Sequence, residues 1–371
     1  MDCKTDQLRL LILRSLHPDE QHFPESRTFS SEDWKRLYIE SGRQAIWGVT
    51  WLGIKTLPPG HRPPEEIESA WMDKYEKIRS ANAKIGKAIS LVTAVTDSHG
   101  KRSAVLKGQT KAHYYPLPEA RTPGDIDLWV EDGREFADLL AREFGAEGKS
   151  TYHHFHTTCD FLQIRGVPLE IHWRPSSGCF NPIANRKIQR FLDIQVKDTE
   201  RVDSSDGGYF YKPSSLFNMV SELVHIRRHF VGSGIGMRHI IDMYYLVRQC
   251  QPSQHEALLK ELGLYKFTGA VAYVLCQYLN LDGKMYFGME PDRNAGRILL
   301  SEILEGGNFG QFAPRQRHGA VVRLLMRERR NVRLFSVCPS EFLWHELHYW
   351  WIIAKTLPQR IIKRKLSLRD E

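Results

Sequence analysis

The sequence predicts an α+β protein: a small mixed-sheet core flanked by N-terminal and C-terminal helical regions. Three observations carry this reading. Apolar residues recur at three- and four-residue spacing from Thr5 to about Val95. Between Ser103 and Trp173 the pattern changes to short, near-alternating runs punctuated by glycine and proline. After GGYFYKPSS the helical spacing returns and persists to Glu371. The corresponding regions are 1–95, 96–205 and 206–371, in keeping with a chain of 371 residues that is too long for one small core.

In the first region the helical stretches are LRLLILRSL, DWKRLYIESGRQAIWGVTWLGI and the long run from Pro64 to Val95. KTLPPGHRPP separates two of them, because clustered prolines and a glycine cannot continue a helix. In the second region SAVLKG is a short apolar run ending at Gly108, and DIDLWVED reads as a strand. REFADLLAREFG is an amphipathic helix stopped by Gly145. TYHHFHTT and DFLQI are strand candidates, and Arg165-Gly166 makes a tight turn into VPLEIHW. In the third region SLFNMVSELVHIRRHF, MRHIIDMYYLVRQC and HEALLKELGLYKFTGAVAYVLCQYL are amphipathic helices parted by GSGIG and QPSQ.

Composition narrows the class. The hydrophobic fraction of 42% and charged fraction of 26% are those of an ordinary globular protein that can bury a core without disulfides. The six cysteines form no CxxC pair and read as reduced thiols. The N-terminal apolar run is broken by Arg14 and is too short for a signal peptide or membrane span, so a cytoplasmic location is expected. A net charge of +8 suits a polyanionic partner such as a nucleotide, RNA or an anionic surface, and equally a basic solvated exterior.

The chemistry centres on Gly124-Asp125-Ile126-Asp127-Leu128. Alternate strand side chains share a face, so Asp125 and Asp127 project together while Ile126, Leu128 and Val130 face the core. Two carboxylates this close repel one another, and a divalent cation between them relieves the repulsion. In VPLEIHW, Val167, Leu169, Ile171 and Trp173 would face inward, leaving Glu170 and His172 on the opposite face. Were the two strands adjacent, Glu170 would complete a three-carboxylate site. Such a site suits Mg2+, with Mn2+ as an alternative, and an in-line displacement at phosphorus. Upstream, Lys107-Gly108-Gln109 stands where a phosphate-handling turn is needed, since a glycine lets backbone N–H groups approach an anion.

The ordered set LKGQTKAHYYPLPEARTPGDIDLWV, then VPLEIHWR, then RRHFVGSGIGMRHIIDMYYLV resembles the uncharacterised nucleotidyltransferase family of bacterial proteins, within the DNA polymerase beta-like superfamily. The likeness spans roughly residues 85 to 250. It implies a nucleotidyltransferase core that moves a nucleoside monophosphate from an NTP to an acceptor hydroxyl and releases pyrophosphate. Asp125, Asp127 and Glu170 would be the catalytic, metal-holding residues, and Lys107, Gly108, Gln109, Arg121 and His172 the nucleotide-binding ones. The superfamily's usual turn is Gly-Ser or Gly-Gly. Here Gly108 is followed by Gln109, which leaves Lys107 or Arg121 to supply the charge that grips the triphosphate. The acceptor would be a small molecule, RNA or protein. The alternative is a non-catalytic nucleotide-binding or regulatory protein that keeps the fold.

Other residues read more plainly. His172 either contacts phosphate, orients Glu170 or sits satisfied beside Trp173; Arg121 either pairs with Asp125 or binds phosphate. His153, His154 and His156 do not make a zinc site, because strand neighbours point to opposite faces and no cysteine lies at ligand spacing. His225, Arg227, Arg228 and His229 read as a polar helix face rather than a cleft lining. Arg238 and Asp242 read as an i,i+4 ion pair. Trp344, Tyr349, Trp350 and Trp351, followed by basic residues from Arg360 to Lys365, suit either docking on a membrane surface or a helix packed on the preceding domain, and the second is the reading preferred.

Overall fold

The computed structural model describes residues 3–18, 29–145, 150–152, 156–204, 207–312 and 319–367. Four helices come first: α1 (Cys3–Leu16), α2 (Ser31–Arg43), α3 (Trp47–Lys55) and α4 (Glu65–Ser98). Helix α2 starts where the Ser30 side chain accepts from the Asp33 N–H and Asp33 accepts from the Ser30 N–H, a reciprocal capping box. Pro64 and the acidic first turn of Glu65, Glu66 and Glu68 start α4, which passes the expected boundary at 95.

The core follows as β1 (Ser103–Val105), α5 (Gln109–Ala112), β2 (Ile126–Val130), α6 (Gly133–Glu143), β3 (Ser150–Tyr152), β4 (His156–Ile164) and β5 (Val167–His172). The five strands form one mixed sheet in the order β1-β2-β5-β4-β3. Only β2 and β5 run parallel. Arg165 and Gly166, with φ of 54° and 70°, make the predicted tight turn from β4 to β5. His153 and His154 lie outside the described residues, as does the side chain of His156. Helix α7 (Pro182–Gln195) and the hairpin β6 (Thr199–Asp203)–β7 (Tyr209–Pro213) complete the middle of the chain, the hairpin straddling the expected boundary at 205.

The C-terminal helices are α8 (Ser215–Val231), α9 (Met237–Gln249), α10 (Glu256–Glu261), α11 (Tyr265–Leu279), α12 (Gly283–Tyr286), α13 (Arg293–Gly306), α14 (Ala320–Phe335) and α15 (Pro339–Ser367). The single helix expected from His255 to Leu279 is two, because Gly263 takes a φ of +66° that an α-helix cannot continue through. Among the described residues, no helix is long and apolar enough to cross a membrane.

The sheet divides the apolar interior. One face carries Val105, Ile126, Leu128, Val130, Leu169 and Ile171, packed under Ile85, Ala88, Ile89 and Val92 of α4 and Phe136 and Leu140 of α6. Each Val, Leu, Ile or Phe side chain removed from water there contributes about 1.5–3 kcal/mol. Trp129 and Ala104 point the other way into the larger helical core with Trp34, Trp71, Phe217 and Phe230. Trp173, expected to face inward, lies beyond the end of β5 and is half-buried, with the Arg134 guanidinium 5.6 Å from its ring centre. The strand's alternation stops one residue before it. Helix α3 meets the turn before Arg121 at bare backbone distance, since a Cβ on Gly48 would stand 2.1 Å from the Ala120 carbonyl oxygen.

Candidate functional site

The parallel register of β2 and β5 sets Asp127 directly beside Glu170 and Trp129 beside His172. Because their neighbours Ile126, Leu128, Leu169 and Ile171 fill the core on one face, Asp127, Glu170 and His172 share the other. Asp125 precedes the first residue of β2 and is exposed at the rim of the same cleft. Asp127 is buried. Its Oδ1 receives the Lys107 ammonium at 2.7 Å and lies 2.9 Å from His172 Nε2, which is 3.5 Å from Glu170 Oε2. Donor atoms of Asp127, Glu170 and His172 all fall within 4.8 Å of one another, a set that fits a divalent cation.

The charges are balanced by contact. Burial works against the Asp127 carboxylate, but Lys107 and His172 outweigh it and hold its pKa far below the ordinary range. Burial likewise opposes charge on Lys107 and His172, and the carboxylates outweigh it, so both are pushed up. Asp125 is pushed up by desolvation and by its neighbours Asp127 and Glu170. That repulsion is the strain a bound cation would relieve.

Gly108 has φ 55° and ψ −105°, outside the regions open to a side-chain-bearing residue, and it turns the chain so that Lys107 faces Asp127. Gln109 is placed differently: its side-chain amide donates to Asn82 Oδ1 at 2.8 Å on α4, away from the carboxylates. Asn82 in turn donates to the Arg121 carbonyl at 2.9 Å. Gln109 therefore braces the turn from behind.

Behind the carboxylate face lies a buried charge network. Arg121 donates from Nε and Nη2 to the two oxygens of Asp242, both at 2.8 Å, and Tyr115 donates to Asp242 at 2.7 Å. Lys111 pairs with Glu222, which also lies 3.1 Å from His239 Nδ1. The expected pairing of Arg238 with Asp242 gives way to Arg121, which reaches the carboxylate two-pronged from the core. Arg238 instead points Nη1 at the Thr122 carbonyl, 3.4 Å away.

These groups enclose a cleft of about 580 Å³. One side carries Asp125, Asp127, Glu170 and Lys107; the other carries Arg228, Arg238 and three imidazoles, His225, His229 and His239. The polar face expected of α8 is thus a wall of the cleft, because α9 and the Phe309 loop enclose that side of the helix. Arg227 is buried and donates to the Gly263 carbonyl at 2.8 Å. Lys107 and Arg121 already have carboxylate partners; among the described residues Arg228 and Arg238 have none in ion-pair contact. Arg228 stacks 4.6 Å from the Phe180 ring centre and Arg238 lies 5.9 Å from that of Phe309.

The imidazoles stand in a row, with ring centres 4.3 Å apart for His225–His229 and 4.9 Å for His225–His239. Phe309 closes the row at 5.0 Å from His229 and 5.5 Å from His239. It holds φ 53° and ψ 26°, a conformation that costs a bulky side chain energy and that clusters at functional sites. Glu222 orients His239 Nδ1, and the buried Nε2 of His239 has no hydrogen-bond partner among the described residues. The flanking glycines at 306, 307 and 310 were the only hint of this loop in the sequence.

The row also sets an acid-lability window. Burial lowers His239 to about 4, partly offset by Glu222, and burial with neighbouring positive groups lowers His229 to about 3. Unfolded imidazoles titrate near ~6.5. Between these values the unfolded chain binds more protons, so the contribution of these two imidazoles to stability is complete above ~6.5 and falls as pH drops toward 4. Melting temperature is expected to decline across that interval, before the depressed carboxylates Asp127 and Asp242 begin to protonate. Replacing the three histidines by glutamine should flatten the decline. A melting temperature constant from pH 7 to 5 would contradict this.

Residues 30–280 match the family of uncharacterised nucleotidyltransferases. The chain belongs to that family. The match ends before the Phe309 loop and the last two helices, so one part of the cleft wall lies outside the family segment. The chain is also similar, at 14% identity and a TM-score of 0.36, to the crystal structure of an antigenic nucleotidyltransferase-like protein from Paracoccidioides brasiliensis. That likeness covers 56% of this chain and 98% of that one. No curated protein matches the chain.

Proposed function

We propose that this nucleotidyltransferase family member transfers a nucleoside monophosphate from an NTP to an acceptor hydroxyl and releases pyrophosphate, with Asp125, Asp127 and Glu170 holding divalent metal. The observation that carries the reading is the parallel register that puts Asp127 beside Glu170, with Asp125 at the rim, across a cleft from two arginines that have no carboxylate in ion-pair contact among the described residues. Mg2+ or Mn2+ bound there would neutralise the phosphates and favour attack at phosphorus.

In this reading Arg228 and Arg238 receive the non-transferred phosphates, the task first expected of Lys107 and Arg121. Lys107 holds Asp127 in its charged form, and Gly108 brings backbone N–H groups near the phosphate chain. His172 fixes the carboxylate orientation from beneath. The acceptor oxygen forms a bond to the α-phosphorus as the bond to the pyrophosphate oxygen breaks; the hydroxyl proton passes to Glu170, the half-buried carboxylate.

The test combines each α-labelled NTP with Mg2+ or Mn2+ and a panel of small-molecule, RNA and protein acceptors, including this chain, and follows pyrophosphate release. Arg238→Met and Arg228→Met are expected to weaken NTP binding about 10- to 100-fold each, the range for losing a charge-assisted contact. Undiminished NTP affinity in both would remove the assigned phosphate site. The departure at Gly108-Gln109, where the Gln109 amide is spent on Asn82, favours one other reading: a nucleotide-binding protein without turnover. Nucleotide binding by calorimetry with no pyrophosphate release across the panel would select it.

A further inference from the structure

We propose that α14 and α15 form a docking face for an anionic phospholipid surface. Helix α15 has two unlike sides. One is anchored: Glu341 accepts from the backbone N–H groups of Phe180 and Asn181, Phe342 is buried, and His345 packs 4.7 Å from Phe180. The other presents Leu343, Trp344, Leu347, Trp350 and Trp351 to solvent, Trp351 being 58% exposed. These positions recur at three- and four-residue spacing, so they form one continuous stripe. Packing on the preceding domain therefore describes one face of α15, and among the described residues nothing covers the tryptophan face.

Helix α14 carries exposed apolar residues of its own, Leu325, Val332 and Phe335, Val332 being 78% exposed. It is joined to α15 by Arg327 and Asn331, which donate to Glu346 at 2.5 and 2.8 Å. Single exposed apolar residues are ordinary; a contiguous set rich in tryptophan marks a binding surface.

Charge decides which occupant the face fits. Residues 320–371 carry eleven Lys and Arg against five Asp and Glu, so six of the eight net positive charges of the chain lie there. From Leu347 to Arg369 there are six basic residues and no acidic one. Arg327, Arg330 and Arg333 are paired with carboxylates, but Arg329 and Lys355 are exposed, and Arg360, Lys363, Arg364 and Lys365 follow in the sequence of α15. A second copy would bring a like-charged segment against this one. An anionic lipid surface offers the opposite charge together with an interfacial zone that accepts tryptophan rings. No described helix is apolar enough to span, so the contact lies along the surface.

The test is co-flotation of the full chain with vesicles of phosphatidylcholine alone or with 30 mol% phosphatidylglycerol, at about 50 and 500 mM salt. Binding is expected at least about tenfold tighter to the anionic vesicles and to weaken at high salt, because the attraction is screened. The exposed double variant Trp350→Ser/Trp351→Ser, and separately Lys363→Glu/Lys365→Glu, should each lower vesicle binding about tenfold with the melting temperature unchanged. Equal recovery with neutral and anionic vesicles, or none with either, overturns the proposal. So does a concentration-dependent dimer in analytical ultracentrifugation that the tryptophan variant converts to monomer, because the face would then be covered by a second copy.

Discussion

Replacing Asp127 with asparagine is expected to lower divalent-cation affinity and metal-dependent nucleotidyl transfer at least about a hundredfold, the upper end of the loss seen for residues that merely support a metal ligand. The amide keeps the shape of the side chain and removes its charge. Asp127 is the one carboxylate of the three that is fully buried, and it sits between Lys107, His172 and Glu170. Without that charge, the Lys107 ammonium is free to swing toward Asp125 and Glu170 and to repel an arriving cation. Calorimetric titration with Mn2+ reads the first effect and pyrophosphate release the second. Asp125→Asn should cost less, because Asp125 stands exposed at the rim of the cleft, whereas Asp127 lies buried among Lys107, His172 and Glu170. Unchanged Mn2+ affinity in Asp127→Asn would sink the metal assignment, whatever happened to activity.

The largest effect on stability is expected at Asp242. Asp242→Ala strands the buried Arg121 guanidinium and the Tyr115 hydroxyl together, and breaking a buried pair by removing one partner costs about 3–5 kcal/mol. Arg121 is nearly inaccessible, and the loss of Asp242 would also unbalance Lys111 and Glu222 next to it. Urea unfolding measures the difference. The double variant Arg121→Met/Asp242→Leu removes both charges at similar volume and should recover much of it. A single variant within about 1 kcal/mol of the unsubstituted chain would show that water reaches the site, and that the network contributes little.

These two carboxylates differ in how they could be recognised. Asp127 belongs to a local pattern: a glycine, then two acids in alternation with core residues, then a second strand with an acid at the matching position. Spacing alone puts Asp127 and Glu170 on outward faces, because a strand has a period of two. What spacing cannot supply is that β2 and β5 are neighbours and parallel, with Asp127 level with Glu170. That follows from how the crossover through α6 and the β3–β4 hairpin packs. Asp242 lies on a helix, where the nearest sequence partner is Arg238, yet its partner is Arg121, more than a hundred residues away.

The sequence by itself determined the order of helical, mixed and helical regions, the glycine turn at Gly108 and the three candidate carboxylates. Each is encoded within a few residues, by periodicity or by a backbone angle that only glycine takes without cost. Tertiary structure alone decided which cations keep their charge available. Lys107 and Arg121, the basic residues nearest the motif, are consumed by Asp127 and Asp242, while Arg228 and Arg238 on α8 and α9 face the carboxylates across the cleft. It also decided that His225, His229 and His239 converge under Phe309. Ion pairing depends on distance in space, and Arg121 and Asp242, or His225 and His239, come from segments whose separation along the chain gives no sign that they will touch.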